Sequence, residues 1–185
     1  MTFHLADQPS LPLTITEPLH FAEIAAIADL YPAKSSDEKR EMIEQSLRPA
    51  VVAGQEGRRT LLLAKVGGVL VGTVQVVWED PAEEPALLLP GAAVIHHLRT
   101  HPDYRQQGIA RRLLVEAERR ARQRNVAVLS LGVEPANAYA HRLYEMWGFC
   151  DFLTYRGEQG KPLIGMKKRL VSAISSRTPT PCVRQ

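Results

Sequence analysis

The chain has 185 residues, the usual size of one globular domain, with 45% hydrophobic and 23% charged residues. No apolar run approaches the length of a membrane span, and the first residues lack the basic start and apolar core of a signal peptide. We therefore expect a cytoplasmic protein that does not bind a membrane. It should have one domain over residues 1–170 and a flexible tail over residues 171–185.

The net charge is only +3, but arginines are concentrated in the segment 111–124. A basic helix is one feature of nucleic-acid-binding proteins. Charge clustering is also common on solvated helix faces, and a basic rim attracts anionic ligands of any kind. We therefore do not expect a nucleic-acid partner from this feature alone.

The N-terminal part predicts one strand and two helices. Leu11–Thr16 has the composition of a strand, and Leu19–Leu30 has apolar residues close to helical spacing. Ser35 and Glu38 have the spacing of a capping box, which predicts the start of a second helix. We expect this helix to end near Leu47, just before a proline.

The next segment predicts a hairpin. Thr60–Val66 and Val69–Trp78 are apolar runs joined by two glycines, a strong hairpin signal. Gly72 inside the second strand indicates a bulge or a close approach of another backbone. Residues 79–91 contain three prolines and several acids, so we expect a loop there.

The C-terminal half predicts alternating strands and helices, followed by a terminal hairpin. We expect strands over Ala92–Thr100, Val126–Val133, Phe149–Tyr155 and Pro162–Arg169, and helices over Gly108–Arg124 and Asn137–Trp147. The whole order is β-α-α-β-β-β-α-β-α-β-β. It predicts an α/β fold in which a mixed sheet has helices on both faces.

The stretch from Val94 to Arg124 combines a strand, a tight turn with glycine and an amphipathic helix. The first amides of a helix have no partner inside the helix and lie at the positive end of its dipole, so they favour a phosphate. Gly108 lets the backbone approach a ligand closely, and Arg105 adds a fixed charge with several donors. This pattern predicts an anionic ligand at the turn.

Two motifs in this half resemble those of the GNAT superfamily of N-acetyltransferases. Arg105–Ala110, R-Q-Q-G-I-A, resembles the family's pyrophosphate motif, and the preceding L-R-T-H-P-D-Y resembles its lead-in. Asn137–Phe149 resembles the family's N-x-x-A-x-x-L-Y-x-x-x-G-F segment. The resemblance implies a mostly antiparallel mixed sheet and acetyl-CoA as co-substrate, and it requires no metal.

The resemblance also implies which residues hold acetyl-CoA. In the family, backbone at the end of the central strand pairs with the pantetheine arm, the following turn holds the pyrophosphate, and an asparagine contacts the arm. These roles are expected, in chain order, of Leu98, Arg99, Thr100, Arg105, Gln106, Gln107, Gly108, Ile109, Ala110 and Asn137.

Tyr144 corresponds to the family's tyrosine that protonates the leaving thiolate, a task for which a weak acid suffices. Some members use a glutamate as general base, but Val94 occupies that position here. His96 is the candidate base instead, because histidine titrates near neutral pH. By simple strand alternation His96 should share a face with Leu98, and His97 should point the other way.

We expect an N-acetyltransferase in which a primary amine attacks acetyl-CoA directly in a ternary complex. A CoA-binding module or pseudo-enzyme without acetyl transfer is the alternative. The direct mechanism needs no nucleophilic cysteine, so Cys150 is expected to be buried packing. The acceptor stays open between small amines, amino acids, antibiotics and protein amines, and so does a homodimer. Acids that could favour a cationic acceptor are Glu79, Asp80, Glu83, Glu84 and Glu134.

Overall fold

The structure, a computed structural model, describes residues 12–18, 21–31, 34–79, 87, 89–157 and 160–170. The expected C-terminal tail, 171–185, lies outside these residues, as do Asp80, Glu83 and Glu84 of the acidic loop. Among the described helices, none is both long enough and apolar enough to cross a membrane.

Seven strands and five α-helices make up the described fold. The strands are β1 Leu13–Thr16, β2 Arg59–Val66, β3 Val69–Val77, β4 Ala92–Thr100, β5 Val128–Val133, β6 Cys150–Arg156 and β7 Pro162–Arg169. The helices are α1 Phe21–Ala25, α2 Ser36–Met42, α3 Arg48–Gln55, α4 Ile109–Gln123 and α5 Ala138–Met146.

The strands form one sheet in the order β1-β2-β3-β4-β5-β7-β6. Only the central pair, β4 and β5, is parallel, and all other neighbours are antiparallel. The apolar face of α4 packs on one side of the sheet, and the N-terminal helices pack on the other. The predicted α/β mixed, mostly antiparallel fold with helices on both faces is confirmed.

The N-terminal helices differ from the prediction in length. The capping box is present, since Ser35 accepts from the Glu38 amide at 3.3 Å and Glu38 accepts from the Ser35 amide at 2.8 Å. The helical segment does not end near Leu47 but continues through a π-helical turn into α3. Pro49 is tolerated because it lies in the first turn of α3, where the wider turn before it has already broken the regular hydrogen bonds.

Gly72 marks a close approach, as the sequence suggested. A Cβ at this position would lie 2.9 Å from the carbonyl oxygen of Arg99 and 3.1 Å from the side chain of Ile109. Strand β3 can therefore lie directly beneath the start of α4 and beside the end of β4. The missing side chain thus sets the spacing of the elements that carry the site.

Candidate active site

The two central parallel strands are paired only over their first residues and separate toward their C-terminal ends. β4 and β5 are paired only from Ala92 with Val128 to Val94 with Ser130. Beyond these pairs β4 continues to Thr100 on the side of β3, and β5 continues to Val133 on the side of β7. The sheet therefore opens into a wedge whose walls are unpaired strand edges, which can accept an extended polar chain.

A bulge in β4 changes which of its side chains lie on each face of the sheet. His97 has a φ of +50°, and the pairing with β3 moves from Gln75 opposite His96 to Thr73 opposite Arg99. β4 thus has one residue more than β3 across this interval. The expected simple alternation is wrong here, because the extra residue reverses the side-chain direction.

The bulge places His96 and Leu98 on opposite faces, contrary to the sequence-based expectation. Ile95 and Leu98 both pack against the cluster beneath α4. His96 lies opposite Gln75, which faces the other side because its neighbours Val74 and Val76 are both in the α4 cluster. His96 therefore belongs to the face that α4 does not cover.

This second face of the sheet carries a row of polar side chains. The buried Arg59 donates from Nη1 to Oε1 of Gln75 at 2.7 Å, directly beside His96. Further along β4, the guanidinium carbon of Arg99 lies 4.0 Å from the ring centroid of Tyr31. The contact between Arg99 and Tyr31 joins residues far apart in sequence, and no sequence signal indicated it.

The turn between β4 and α4 has the backbone geometry of an anion site. Gln106 and Gly108 have φ values of +61° and +75°, while Gln107 between them has a negative φ. Alternation of this kind aims successive N–H groups into one concavity. Gln106 in the left-handed region was not expected, because the motif identifies residue types and not the sign of φ.

The same turn leads into a helix start that lacks a side-chain cap. Gly108 is the N-cap of α4 and, having no side chain, leaves the first amides of α4 without a capping partner. Arg105, Gln106, Gln107 and Gly108 are exposed, whereas Ile109 is buried and anchors the helix in the core. The turn predicted to hold the pyrophosphate is thus open on its outer side and fixed on its inner side.

α5 supplies the other two predicted side chains. Asn137 caps this helix by accepting from the Ala140 amide at 3.2 Å, and its NH₂ group remains a donor for another partner. Tyr144 packs with its ring edge-on to Trp147 and Phe149, at 5.8 Å between centroids in both cases. It joins the cluster that also contains Leu98.

The Tyr144 hydroxyl remains protonated in its surroundings. Burial raises the pKa of this phenol above its ordinary value. Within the described part of the chain, no side chain or backbone group makes a hydrogen bond with the hydroxyl. A protonated phenol with its donor unused can donate a proton to a leaving group.

The arginines of α4 are held by acids of the same domain. Buried Glu118 accepts from Lys168 at 2.6 Å and from Arg111 and Arg122 at longer distances. Burial raises the pKa of Glu118, but these hydrogen bonds and charges outweigh that effect and lower it overall. No prediction from the sequence included this network. The i,i+4 spacing of Glu118 and Arg122 could have indicated one of its pairs.

Three further residues named in the sequence analysis lie around this site or next to the strands that form it. Val94 is buried with Val77 and Leu87, so no carboxylate lies at that position. Glu134 is exposed at the end of β5. Cys150 is disulfide-bonded, so it offers no thiol nucleophile. The sequence had instead suggested a buried, packed thiol. The other cysteine, at position 182, lies outside the described residues.

Known proteins share this arrangement of elements. The PaiA N-acetyltransferase of Thermoplasma acidophilum, in complex with coenzyme A, matches with a TM-score of 0.66 and 19% identity over 86% of this chain and 99% of its own. The ribosomal-protein-S18-alanine N-acetyltransferase of Escherichia coli matches with a TM-score of 0.63 and 21% identity, covering 91% and 100%. An aminoglycoside 6′-acetyltransferase type Ii matches with a TM-score of 0.67 and 18% identity, covering 91% and 99%. In sequence, the chain matches no curated protein.

A wedge between central strands beside an uncapped helix start defines the class, an acyltransferase that takes acetyl-CoA as donor. The sequence model of the Acetyltransferase (GNAT) family matches residues 23–149, more than half of the chain. The chain therefore belongs to the GNAT acetyltransferase family.

Proposed function

We propose that this enzyme transfers the acetyl group of acetyl-CoA to a primary amine by direct attack in a ternary complex. The observation that carries the proposal is the position of the wedge between β4 and β5. It opens at the end of β4 that leads into the turn before α4, so an extended arm and its pyrophosphate can bind along one continuous backbone surface. The structural neighbours named above act, by their names, on amines, which supports the amine as acceptor.

The backbone of β4 indicates which amides would meet the thioester arm. Arg99 pairs with Thr73, and the His101 N–H donates to the carbonyl oxygen of Val71 at 2.8 Å, so both face β3. Amides of successive strand residues point to opposite edges. The Leu98 and Thr100 amides therefore face the wedge, and we assign the oxyanion contact to Leu98.

The reaction needs one bond formed and one broken. The amine nitrogen attacks the thioester carbonyl carbon, and the carbonyl oxygen gains charge that the Leu98 amide stabilises. When the carbon–sulfur bond breaks, the thiolate takes the proton of Tyr144. The proton lost by the amine passes to His96, directly or through water, because an imidazole can act as a base and this side chain lies on the face opposite α4.

The alternative, CoA binding without acetyl transfer, is favoured by Val94. This position carries a base in some family members, and here it is a buried apolar residue. Acetyl transfer therefore depends on His96 or water for the amine proton. Detection of free thiol with any amine, absent when the amine is omitted, would exclude this alternative.

The first experiment is a calorimetric titration of acetyl-CoA into the wild type and Gly108→Glu. We expect binding by the wild type and at least a hundredfold loss in the variant, because the new carboxylate meets the pyrophosphate position. Gly57→Glu is the matched control, since Gly57 has the same φ of +75° and open space around it. Gly108→Ala separates backbone strain from charge.

The controls decide what a loss of binding means. Gly57→Glu should bind acetyl-CoA as the wild type does, although its thermal stability should fall by the same strain as that of Gly108→Glu. If Gly108→Glu binds acetyl-CoA like the wild type, the turn is not the pyrophosphate site. If the folded wild type does not bind acetyl-CoA at all, the proposal fails.

A further inference from the structure

Arg99 and Tyr31 form a stacked pair on the face of the sheet that α4 leaves uncovered. The guanidinium carbon is 4.0 Å from the ring centroid. Tyr31 follows the 3₁₀ turn Ala26–Leu30 and packs against the N-terminal apolar cluster, so its ring has a fixed support. Stacking engages the flat face of a guanidinium and holds its plane, while the N–H donors at its edge stay available.

Three described acids of the N-terminal segment that carries Tyr31 already have cationic partners. Glu23 is paired with Lys65, Asp29 with Lys39 at 3.2 Å, and Glu38 with Lys34 at 3.8 Å. In the described ranges, Arg99 has the contact with Tyr31 and no acidic partner. Its edge is thus available as a bidentate donor for an anion whose oxygens match the guanidinium fork, such as a carboxylate.

The bulge in β4 is what brings Arg99 and His96 to the same face. Residues three apart in a regular strand point to opposite sides. Here His96 lies opposite Gln75 and Arg99 lies opposite Thr73, and these two partners are on one face of β3. Two strand residues span about 7 Å, so the positions on β3 opposite His96 and Arg99 are about that far apart, a span that one small molecule can cover.

We place the approach of the acceptor amine on this face, because the candidate base His96 lies on it. On the other face the cluster beneath α4 fills the space up to Leu98 and Tyr144. An amine that reaches the thioester past His96 therefore passes the edge of Arg99.

Resting on the acetyl transfer proposed above, we propose that the acceptor carries a carboxylate close to its amine, as an amino acid does, and that Arg99 binds this carboxylate. Arg99 is then the specificity-determining side chain, and Tyr31 is a positioning residue that holds the guanidinium plane. The backbone of Arg99 and its side chain have separate tasks, because the backbone pairs with β3 on the edge of β4 opposite the wedge and the side chain faces the acceptor.

The test compares amines that differ only in the carboxylate. Free thiol release is measured with a panel of L-amino acids and with the corresponding amino acid amides. We expect the wild type to favour the acids in kcat/KM by at least tenfold for its best pair. Arg99→Gln should lower this ratio at least fivefold, mainly through KM of the acid. Arg169→Gln is the matched control, since Arg169 is exposed at the end of β7, opposite the start of β5.

Variants at position 31 test the positioning role. Tyr31→Phe retains an aromatic face, and the ratio should stay within twofold of the wild type. Tyr31→Leu retains bulk without the ring, and the ratio should fall at least threefold. An equal fall in both variants, or in neither, would contradict the role of the stack.

Failure of this inference differs from failure of the acetyl-transfer proposal. A wild type that acetylates acids and amides equally, or an Arg99→Gln variant with an unchanged ratio, overturns the inference and leaves acetyl transfer intact. If no amine releases thiol, acetyl transfer to these acceptors fails, and binding decides the inference. N-acetylglycine and N-acetylglycinamide are then titrated into the CoA-saturated protein and followed by NMR. Absence of an Arg99-dependent preference for the acid overturns it as well.

Discussion

By the proposals above, the edge of β4 that faces the wedge and the face of β4 opposite α4 would recognise ligands by different means. At the wedge, the predicted contacts to acetyl-CoA are backbone amides, together with left-handed residues such as Gly108. On the face opposite α4, the groups proposed to meet an acceptor are the side chains of His96 and of Arg99, which lies over the ring of Tyr31. One strand thus presents a backbone site and a side-chain site within a few residues of each other.

This difference explains how one fold can keep the same acetyl donor while its amine acceptor changes. A backbone site needs only residues that permit its φ and ψ, so substitutions elsewhere leave it intact. A side-chain site changes with each substitution on its face. Substitutions that change only the backbone site or only the side-chain site therefore test this difference directly.

The largest effect is expected from Tyr144→Phe. Loss of the proton donor should lower kcat about a hundredfold for every amine alike, because the leaving thiolate is common to all reactions. The calorimetric Kd for acetyl-CoA should stay within twofold, since the ring and its contacts with Trp147 and Phe149 remain. A change in preference between amines would show that Tyr144 acts on the acceptor. The donor site and the acceptor site would then not be separate.

Gly72→Ala is expected to affect both the backbone site and the side-chain site of β4. Its new Cβ would lie 2.9 Å from the Arg99 carbonyl oxygen, so β3, β4 or α4 must move. We expect a loss of about 2 kcal/mol in the free energy of unfolding. Urea denaturation and acetyl-CoA calorimetry measure both consequences.

Gly54→Ala is the matched control for that substitution. Gly54 lies in α3, and its added Cβ would be 3.6 Å from the nearest atom, an ordinary contact. Alanine is the better helix former, so stability should be unchanged or rise by up to about 1 kcal/mol. Equal destabilisation by both alanines would mean that the close approach at Gly72 is not what matters.

His96→Gln should remove the effect of pH on the acceptor side. A base that must be neutral gives a kcat/KM that rises with pH through the histidine's titration, and glutamine abolishes this rise. We expect about tenfold lower kcat/KM near neutral pH and little change in acetyl-CoA affinity. His97→Gln is the control on the bulge, and a profile unchanged in His96→Gln would assign the base role elsewhere.

Glu116→Gln should affect stability alone and by the smallest amount. The hydrogen bond from Arg119, with help from Arg120, lowers the pKa of Glu116 to about 2 from 4.5. The folded-state pKa is depressed, so the stabilisation is present above pH 4.5 and is lost as pH falls through about 2. Because these side chains are partly solvated, we expect about 1 kcal/mol at pH 7.

Urea denaturation of Glu116→Gln at pH 7 and pH 2.5 measures this effect. The difference from the wild type should shrink toward the lower pH. Glu41→Gln is the control, since Glu41 accepts from Gln45 at 3.1 Å and not from an arginine. A pH-independent difference would assign the effect to packing. Changed acetyl-CoA affinity would show that the outer face of α4 belongs to the site.

Local patterns in the sequence predicted the elements that carry the donor site. The capping box at Ser35 and the turn at Gly108 depend on neighbouring residues, and a glycine inside a strand indicated the close approach at Gly72; the structure contains all three. The predicted end of the second helix was wrong. A π-helical turn precedes Pro49, so the proline lies in the first turn of α3 and does not end the helical segment. A pattern of residue types does not show such a change of helical pitch.

The sequence by itself determined the fold class and the family and predicted the turn proposed to hold acetyl-CoA, because these depend on short-range spacing and on where glycine permits a left-handed backbone. Only the tertiary structure decided which side chains lie on the face proposed for the acceptor. The bulge at His97 reverses the alternation of β4, and Tyr31 reaches Arg99 from a distant segment. Both depend on how β3 and the N-terminal helices pack against β4, and no periodicity within β4 encodes that packing.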